Sequence, residues 1–329
     1  MKKILSYPYH LKRNLPENFS EKDRKHFEED FQTVIRENNI RFFKNASVFQ
    51  KFLICNWKLQ KEYCATRKVP FKREVNAYLK NFLFSKKTIE EGLWVLDQFS
   101  FAHYHWFVEV LPRLISAEEI KCNYPVLLQK QFILMDYMRE SLNIFNRDYI
   151  TYEPKEKLFV KTLVAPSHFE PAHCDAMQIK KVRDKFKDFD KKFYSVVPTK
   201  KIYISRKKAL RRFVLNENEL QNFLERNGFT TIIMEDLSFF EQRKLMAETT
   251  VLLSNHGAGL TNMLFMNENS TVIELKSDSD DINNCFFNLA RALDHKYFYT
   301  INESNDKRIQ RANIEVDIEA LNHVLQIIK

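Results

Sequence analysis

Glycine is nearly absent from this sequence: Gly92, Gly228, Gly257 and Gly259 are the only 4 in 329 residues. No GxGxxG fingerprint and no GxxxxGKS or GxxxxGKT loop can be assembled from them, which excludes a Rossmann dinucleotide fingerprint and a Walker phosphate loop. Cysteine is sparse and scattered. Five residues, an odd number with no CxxC, argue against a disulfide framework or a structural zinc site and for a reducing compartment. Long apolar runs are missing too. No stretch approaches 18 uninterrupted apolar residues, so no spanning helix is expected. The opening Met-Lys-Lys-Ile-Leu-Ser-Tyr-Pro is basic but has no apolar run of signal-peptide length, and a cytoplasmic location is expected.

What is present is an ordinary globular composition, 44% hydrophobic and 29% charged, with a formal net charge of +9. That charge suits nucleic acid, an anionic membrane surface or phosphate-bearing small molecules, and alone decides nothing. Helix-turn-helix, RRM and zinc signatures are all lacking, so no nucleic-acid partner is expected, and a basic nucleic-acid-binding protein stands only as an alternative.

The second half alternates strand and helix. Lys201–Ser205, Thr230–Met234, Val251–Ser254, Thr271–Leu275 and Tyr297–Thr300 read as apolar strands. Between them, helices are predicted over 216–227 (Asn216 as N-cap, Gly228 past the end), 238–248 (capping box Ser238 with Glu241), 257–266 and 281–293. This predicts a parallel sheet covered on both faces. The first half is less regular. Strands are expected at 3–7, 93–97, 125–128 and 158–164. Helices are expected at 21–37, 103–115 (ended or kinked at Pro112), 131–143 and 176–189. A charged stretch near 184–192 reads as the linker. The expected organisation is an N-terminal domain over 1–195, a C-terminal domain over 196–315 and a last helix over 316–329 that can pack on either half.

Three segments carry chemistry. In Asn255-His256-Gly257-Ala258-Gly259-Leu260-Thr261-Asn262 an apolar strand ends, two side chains are removed and a helix begins. Bare amides at a helix start favour a phosphate, although a tight turn needing glycine for geometry reads the same way. In Ala102-His103-Tyr104-His105-Trp106-Phe107-Val108-Glu109, His105 and Glu109 are four apart and share a helix face, fitting a base and its orienting carboxylate. A metal pair of His103 with His105, or a hydrogen-bonded core histidine, fits the same spacing. After strand 201–205, Arg206, Arg211 and Arg212 suit a pyrophosphate, or line a solvated loop. Asn216 and Glu241 have capping explanations as well as ligand ones. Glu274, at a strand end, can accept from a ribose or sugar, or be a plain exposed carboxylate.

Taken together, AHYHWFVEVLPRL (102–114), YISRKKALRRFVLNE (203–217), LSFFEQRKLMAE (237–248) and NHGAGLTNMLF (255–265) followed by VIEL (272–275) resemble the inverting glycosyltransferases of family 61. The resemblance covers roughly residues 93–300. It implies an α/β, GT-B fold: two Rossmann-like domains with mostly parallel sheets facing a central cleft. It also implies transfer of a sugar such as xylose, arabinose or N-acetylglucosamine from a nucleotide donor, and in bacterial relatives a role in capsule, lipopolysaccharide or other surface polysaccharides. Two departures stand out: Ala102 where an asparagine is usual, and Ser254-Asn255 where Gly-Pro is common.

On this resemblance His105 and Glu109 are the acceptor-side base pair. Arg206, Arg211, Arg212, Asn216, Glu241, Glu274 and the turn His256–Asn262 contact the donor. The expected partners are a nucleotide-sugar, UDP-linked first of all, and a glycan or lipid-linked saccharide, with peripheral membrane contact. No metal or other cofactor is expected. No DxD-type ligand pair is evident, and Asp278-Ser-Asp280 reads as a helix start. A catalytically inactive sugar-nucleotide-binding protein is the other alternative.

Overall fold

The computed structural model describes residues 1–65, 68–168, 172–279, 283–308 and 311–328. The chain divides into two compact units: Met1–Tyr9 with Val34–Pro171, and His10–Thr33 with Ala172–Lys329.

The first unit is built on strands β1 (Lys2–Ser6), β2 (Asn38–Phe49), β3 (Phe52–Cys55), β4 (Lys58–Leu59), β5 (Ser85–Leu93), β6 (Val126–Gln129), β7 (Tyr149–Tyr152) and β8 (Glu156–Pro166). They form one sheet in the order β4-β3-β2-β8-β5-β6-β7, with β1 also paired to β2. The sheet is mixed, which corrects the expectation of a mostly parallel one here. Strands β8, β5, β6 and β7 run parallel, whereas β8, β1 and β3 pair antiparallel with β2. Strand β2 was missed because both its faces are only partly apolar. Its hairpin with β3 and its long register with β8 (Val48 opposite Leu158 to Ile40 opposite Pro166) define it, and the latter is a non-local pairing.

Helices α1 (Phe71–Leu83), α2 (103–119) and α3 (Asp136–Ile144) complete the unit. Pro112 does not end α2. The five residues just before its first full α-turn, Trp106–Val110, are π-helical. Widening the turn there accommodates the missing proline N–H and the ring that would strike the preceding carbonyl.

In the second unit, β9 (Lys200–Ile204), β10 (Phe229–Ile232), β11 (Thr249–Asn255), β12 (Thr271–Ser277), β13 (Lys296–Ser304) and β14 (Ile314–Glu315) lie in the order β10-β9-β11-β12-β13-β14. The first five are parallel and only the edge strand β14 is antiparallel. Strand β12 is buried at all seven positions, the signature of a central strand covered on both faces. The helices are α4 (Ala176–Asp190), α5 (Glu217–Arg226), α6 (Phe239–Ala247), α7 (Cys285–Ala292) and α8 (Ile318–Ile328). The helix expected from residue 281 starts at Cys285. Residues 280–282, Asp280 among them, lie outside the described residues.

The division bears on the expected organisation, with its boundary at 195, in three places. Helix α4 belongs to the second unit because Asp190 receives a bidentate contact from the fully buried Arg243 of α6, with both nitrogen–oxygen distances 3.0 Å. Helix α8 also packs here: Leu321, Val324 and Leu325 join Tyr203, Val251 and Ile273 in one core. The third is the N-terminal segment. The helix expected over 21–37 is instead a 3₁₀ stretch (Glu21–His26), a single helical turn (Glu28–Phe31) and extended chain. Its charge pattern yields to tertiary contacts. Phe27 is fully buried among Phe287, Tyr297 and Tyr299, and Asp30 accepts from Asn284 (2.8 Å), just ahead of α7, and from Asn288 (2.6 Å) of α7.

Removing one partner of a buried ion pair strands the other charge. Asp190→Ala is therefore expected to lower unfolding stability by about 3–5 kcal/mol in urea titration, whereas Asp188→Ala, which removes an exposed carboxylate from the same helix, changes it by less than about 1 kcal/mol.

Candidate active site

In the first unit, α2 brings His105 and Glu109 into contact, His105 Nδ1 lying 2.7 Å from Glu109 Oε1. A carboxylate only accepts, so Nδ1 carries the proton and Nε2 presents a lone pair. Nε2 has no hydrogen-bond partner among the described residues, and the side chain is 24% exposed against 3% for Glu109. Behind this pair runs a buried relay that the sequence reading missed. Arg113, one further turn along α2, lies 3.9 Å from Glu109 Oε2 and bonds Asp97 at 2.9 Å, and His168 lies 3.2 Å from the same Asp97 oxygen. Burial pushes the Asp97 carboxyl up, but Arg113, His168 and the Phe99 amide outweigh it and hold the group well below the ordinary carboxylate range. The signal for Arg113 was available, since 105, 109 and 113 are spaced four apart. Asp97 and His168 arrive from elsewhere in the chain and left none. His103 does not join His105 in a metal pair. Two residues apart on a helix, they face different ways, and His103 lies against Phe107 and Tyr137.

In the second unit, β11 ends at Asn255 and the chain turns through His256 and Gly257 into a 3₁₀ helix, Ala258–Phe265, rather than an α-helix. The first bond of this helix is Leu260 N–H to Gly257 O at 2.9 Å, so the amides of Ala258 and Gly259 precede the ladder. Gly257 is extended and needs no glycine for its backbone. It is glycine for space. A Cβ there would lie 2.1 Å from Nη1 of Arg206 and 2.8 Å from its Cζ. Gly259 similarly lets the turn approach Ile204 of β9.

Arg206 donates through Nη2 to Arg211 O at 3.2 Å, while its Nε is buried without a partner. Burial, then the charges of Arg212 and Arg211, push its pKa down to about 10. Arg212 sits in the left-handed region (φ +62°), its carbonyl taken by Asn255 Nδ2 at 2.6 Å. The charges of Arg212 and Arg211 oppose that of Arg206, with Glu235 offsetting them in part, and cations grouped beside unladdered amides suit an anion. Leu260, Thr261 and Asn262 are buried in the helix beneath, Thr261 Oγ1 without a partner.

His256 and Glu274 stand differently from their expected role. Glu274 is neither exposed nor open to a ribose. It is fully buried, one oxygen 2.5 Å from His256 Nδ1 and the other 2.5 Å from Tyr297 Oη. Burial raises its pKa, but Lys276, His256 and Tyr297 prevail and lower it. With Nδ1 protonated, His256 Nε2 accepts from Asn283 Nδ2 at 3.1 Å, and the ring is closed on both sides. Asn216 stands at the N-cap of α5 but makes no capping bond. It exchanges two 2.9 Å hydrogen bonds with the backbone of Val316 instead. Glu241 completes the capping box with Ser238 (2.6 and 2.8 Å) on the exposed start of α6. Neither side chain joins the arginine recess. A cavity of about 270 Å³ in this unit, lined by Arg183, Phe186, Tyr194 and Phe265 among others, contains none of these residues.

With that geometry in place, comparison with known proteins assigns the chain. The family profile described as Glycosyltransferase 61 matches residues 103–273, just over half of the sequence. The chain belongs to glycosyltransferase family 61. This family-61 chain is also similar to the EGF domain-specific O-linked N-acetylglucosamine transferase of Drosophila melanogaster, 37% identical over 98 residues, 29% of this chain and 18% of that protein. The protein of the same name from Bos taurus is 35% identical over 85 residues, 24% of this chain and 16% of that protein. The matches thus span less than a fifth of these relatives. The family match begins beside His105 and takes in both the arginine recess and the 256–262 turn.

Gly257→Ala is expected to displace the Arg206 guanidinium and weaken UDP binding by at least about tenfold in calorimetric titration. Gly228→Ala, at φ +81° in open space, should cost about 1–2 kcal/mol of stability and leave UDP affinity unchanged.

Proposed function

We propose that the protein is an inverting, metal-independent glycosyltransferase. It moves a sugar from a nucleotide-sugar, a UDP-sugar in the first instance, to a glycan or lipid-linked saccharide in surface-polysaccharide assembly on the cytoplasmic side. The two units take the donor and acceptor roles of a GT-B enzyme. The observation that carries this reading is the arginine group over Gly257, where the half-buried Arg206, opposed by the charges of Arg212 and the exposed Arg211, adjoins unladdered amides. Such a group of fixed donors stabilises charge that grows on a leaving diphosphate.

The reaction is one displacement. His105 Nε2 takes the proton of an acceptor hydroxyl, Glu109 keeps the imidazole in its Nδ1–H form, and the acceptor oxygen bonds to the anomeric carbon. The bond from that carbon to the diphosphate oxygen breaks, and the electron pair leaves with the nucleoside diphosphate. A single displacement inverts the anomeric centre. Arg206 and the 257–259 backbone compensate the departing charge, with Arg211 and Arg212 beside them. Glu274 acts by fixing His256 and the turn rather than by touching the donor. Asn216 and Glu241 remain structural.

The test is turnover of UDP-, GDP- and CMP-sugars with and without acceptor. Arg206→Ala should lower kcat/KM at least about a hundredfold, the range for one lost transition-state donor. His105→Ala should lower kcat by about 10²–10⁴ with UDP affinity unchanged. Added EDTA should leave the rate unaltered. Full activity in Arg206→Ala would remove the recess from the mechanism, and full activity in His105→Ala would remove the base.

A further inference from the structure

Helix α1 is amphipathic in an unusual sense, because its apolar stripe faces out. Phe71, Val75, Leu79, Phe82 and Leu83 follow the spacing of one helix face, and all are exposed, Phe71 and Phe82 by more than 80%. The inward side is thin: Ala77 packs into the small cluster of Phe49, Ile54 and Leu59, and Tyr78 Oη accepts the Leu59 amide at 3.0 Å. Water-facing phenylalanine and leucine on one face are costly unless something apolar covers them.

Beside this helix lies a cavity of about 420 Å³, lined by Lys51, Arg73, Lys80, Phe52, Gln98 and Phe99 among others. Three cations face it and no carboxylate does. Lys51 donates to the neutral carbonyl of Gln98 (3.0 Å) and Lys80 to the Gln50 side-chain oxygen (3.1 Å). None of the three has an acidic partner among the described residues. The one acid of α1, Glu74, is held by Lys61 at 2.6 Å. Burial lowers the Lys51 pKa, with only the charge of Asp97 opposing it, so an added anion would relieve the site. One wall of the cavity stands next to the candidate base, since the Phe99 ring that lines it lies 5.0 Å from that of His105.

We propose that this cavity holds the phosphate of a lipid-phosphate-linked acceptor, with the apolar face of α1 taking the lipid chain. The proposal rests on the acceptor-side role of His105. Cations without counter-charge select phosphate, the adjoining apolar stripe selects a phosphate attached to a hydrocarbon chain, and the contact with Phe99 directs the attached saccharide toward the imidazole.

The test is calorimetric titration of the full chain with farnesyl phosphate below its micellar concentration, with farnesol and inorganic phosphate as controls. Farnesyl phosphate is expected to bind at least about tenfold tighter than either control. Lys51→Ala/Arg73→Ala, and separately the exposed Arg73→Ala alone, should weaken it toward farnesol. Leu79→Ser/Phe82→Ser, which removes only exposed side chains, should weaken it toward inorganic phosphate. Equal affinity for farnesol and farnesyl phosphate overturns the phosphate site. Equal affinity for inorganic and farnesyl phosphate overturns the lipid contact, and unaltered binding in the cation variants overturns both. UDP titrated into the same samples reports the other unit. If UDP binds and farnesyl phosphate does not, this inference falls while the donor reading stands.

Discussion

The geometry of the candidate donor site depends on the space left by one absent side chain. Without a Cβ at residue 257, the Arg206 guanidinium lies against the backbone where β11 ends, and the turn into the 3₁₀ helix is held beside three positive charges. Like charges do not gather in a half-buried recess for stability. Burial and Arg212 both disfavour the ionised form of Arg206, which is a cost to the folded protein. On the proposed donor role, a diphosphate would turn that cost into attraction. In a chain with only 4 glycines, two stand at this turn, and each leaves room for a side chain of the same unit, Arg206 or Ile204.

Each unit holds an imidazole whose Nδ1 proton is fixed by a buried glutamate, and the two pairs do different work. In the second unit, His256 is closed by Glu274 on one side and Asn283 on the other, and Tyr297 occupies the remaining glutamate oxygen. Such a ring is a strut that fixes the turn. In the first unit, the Glu109 pair leaves Nε2 of His105 open, and Arg113 and Asp97 extend the support behind it. Similar pairs therefore yield a rigid post in one place and, in the other, an imidazole with a free nitrogen that suits the proposed base. Exposure of a single nitrogen separates them.

Much of the second unit was legible in the sequence because its strands are continuous apolar runs between capped helices, and local pattern and tertiary demand agree there. The Ser238–Glu241 capping box and the glycine after α5 were read correctly for the same reason. The first unit was harder, since β2 pairs along most of its length with a strand more than a hundred residues away. The segment 21–37 reads as a charged helix until Phe27 and Asp30 find their partners on α7 and β13. At the candidate sites, spacing anticipated the contact of His105 with Glu109 and the strand-to-helix turn at 256–262. It did not anticipate the hydrogen bonds of Glu274 to His256 and Tyr297 or of Asn216 to Val316, which are tertiary. The same blindness hid Asp97, His168 and the cations facing the α1 cavity, which no local period connects.

The central claim is that the recess over Gly257 recognises a diphosphate. Calorimetric titration of the unmodified protein with UDP and with uridine under matched salt tests this most directly. The account predicts that UDP binds at least about a hundredfold tighter, a difference of about 2.7 kcal/mol, and that this gap shrinks as ionic strength rises. Equal affinity for UDP and uridine would contradict it.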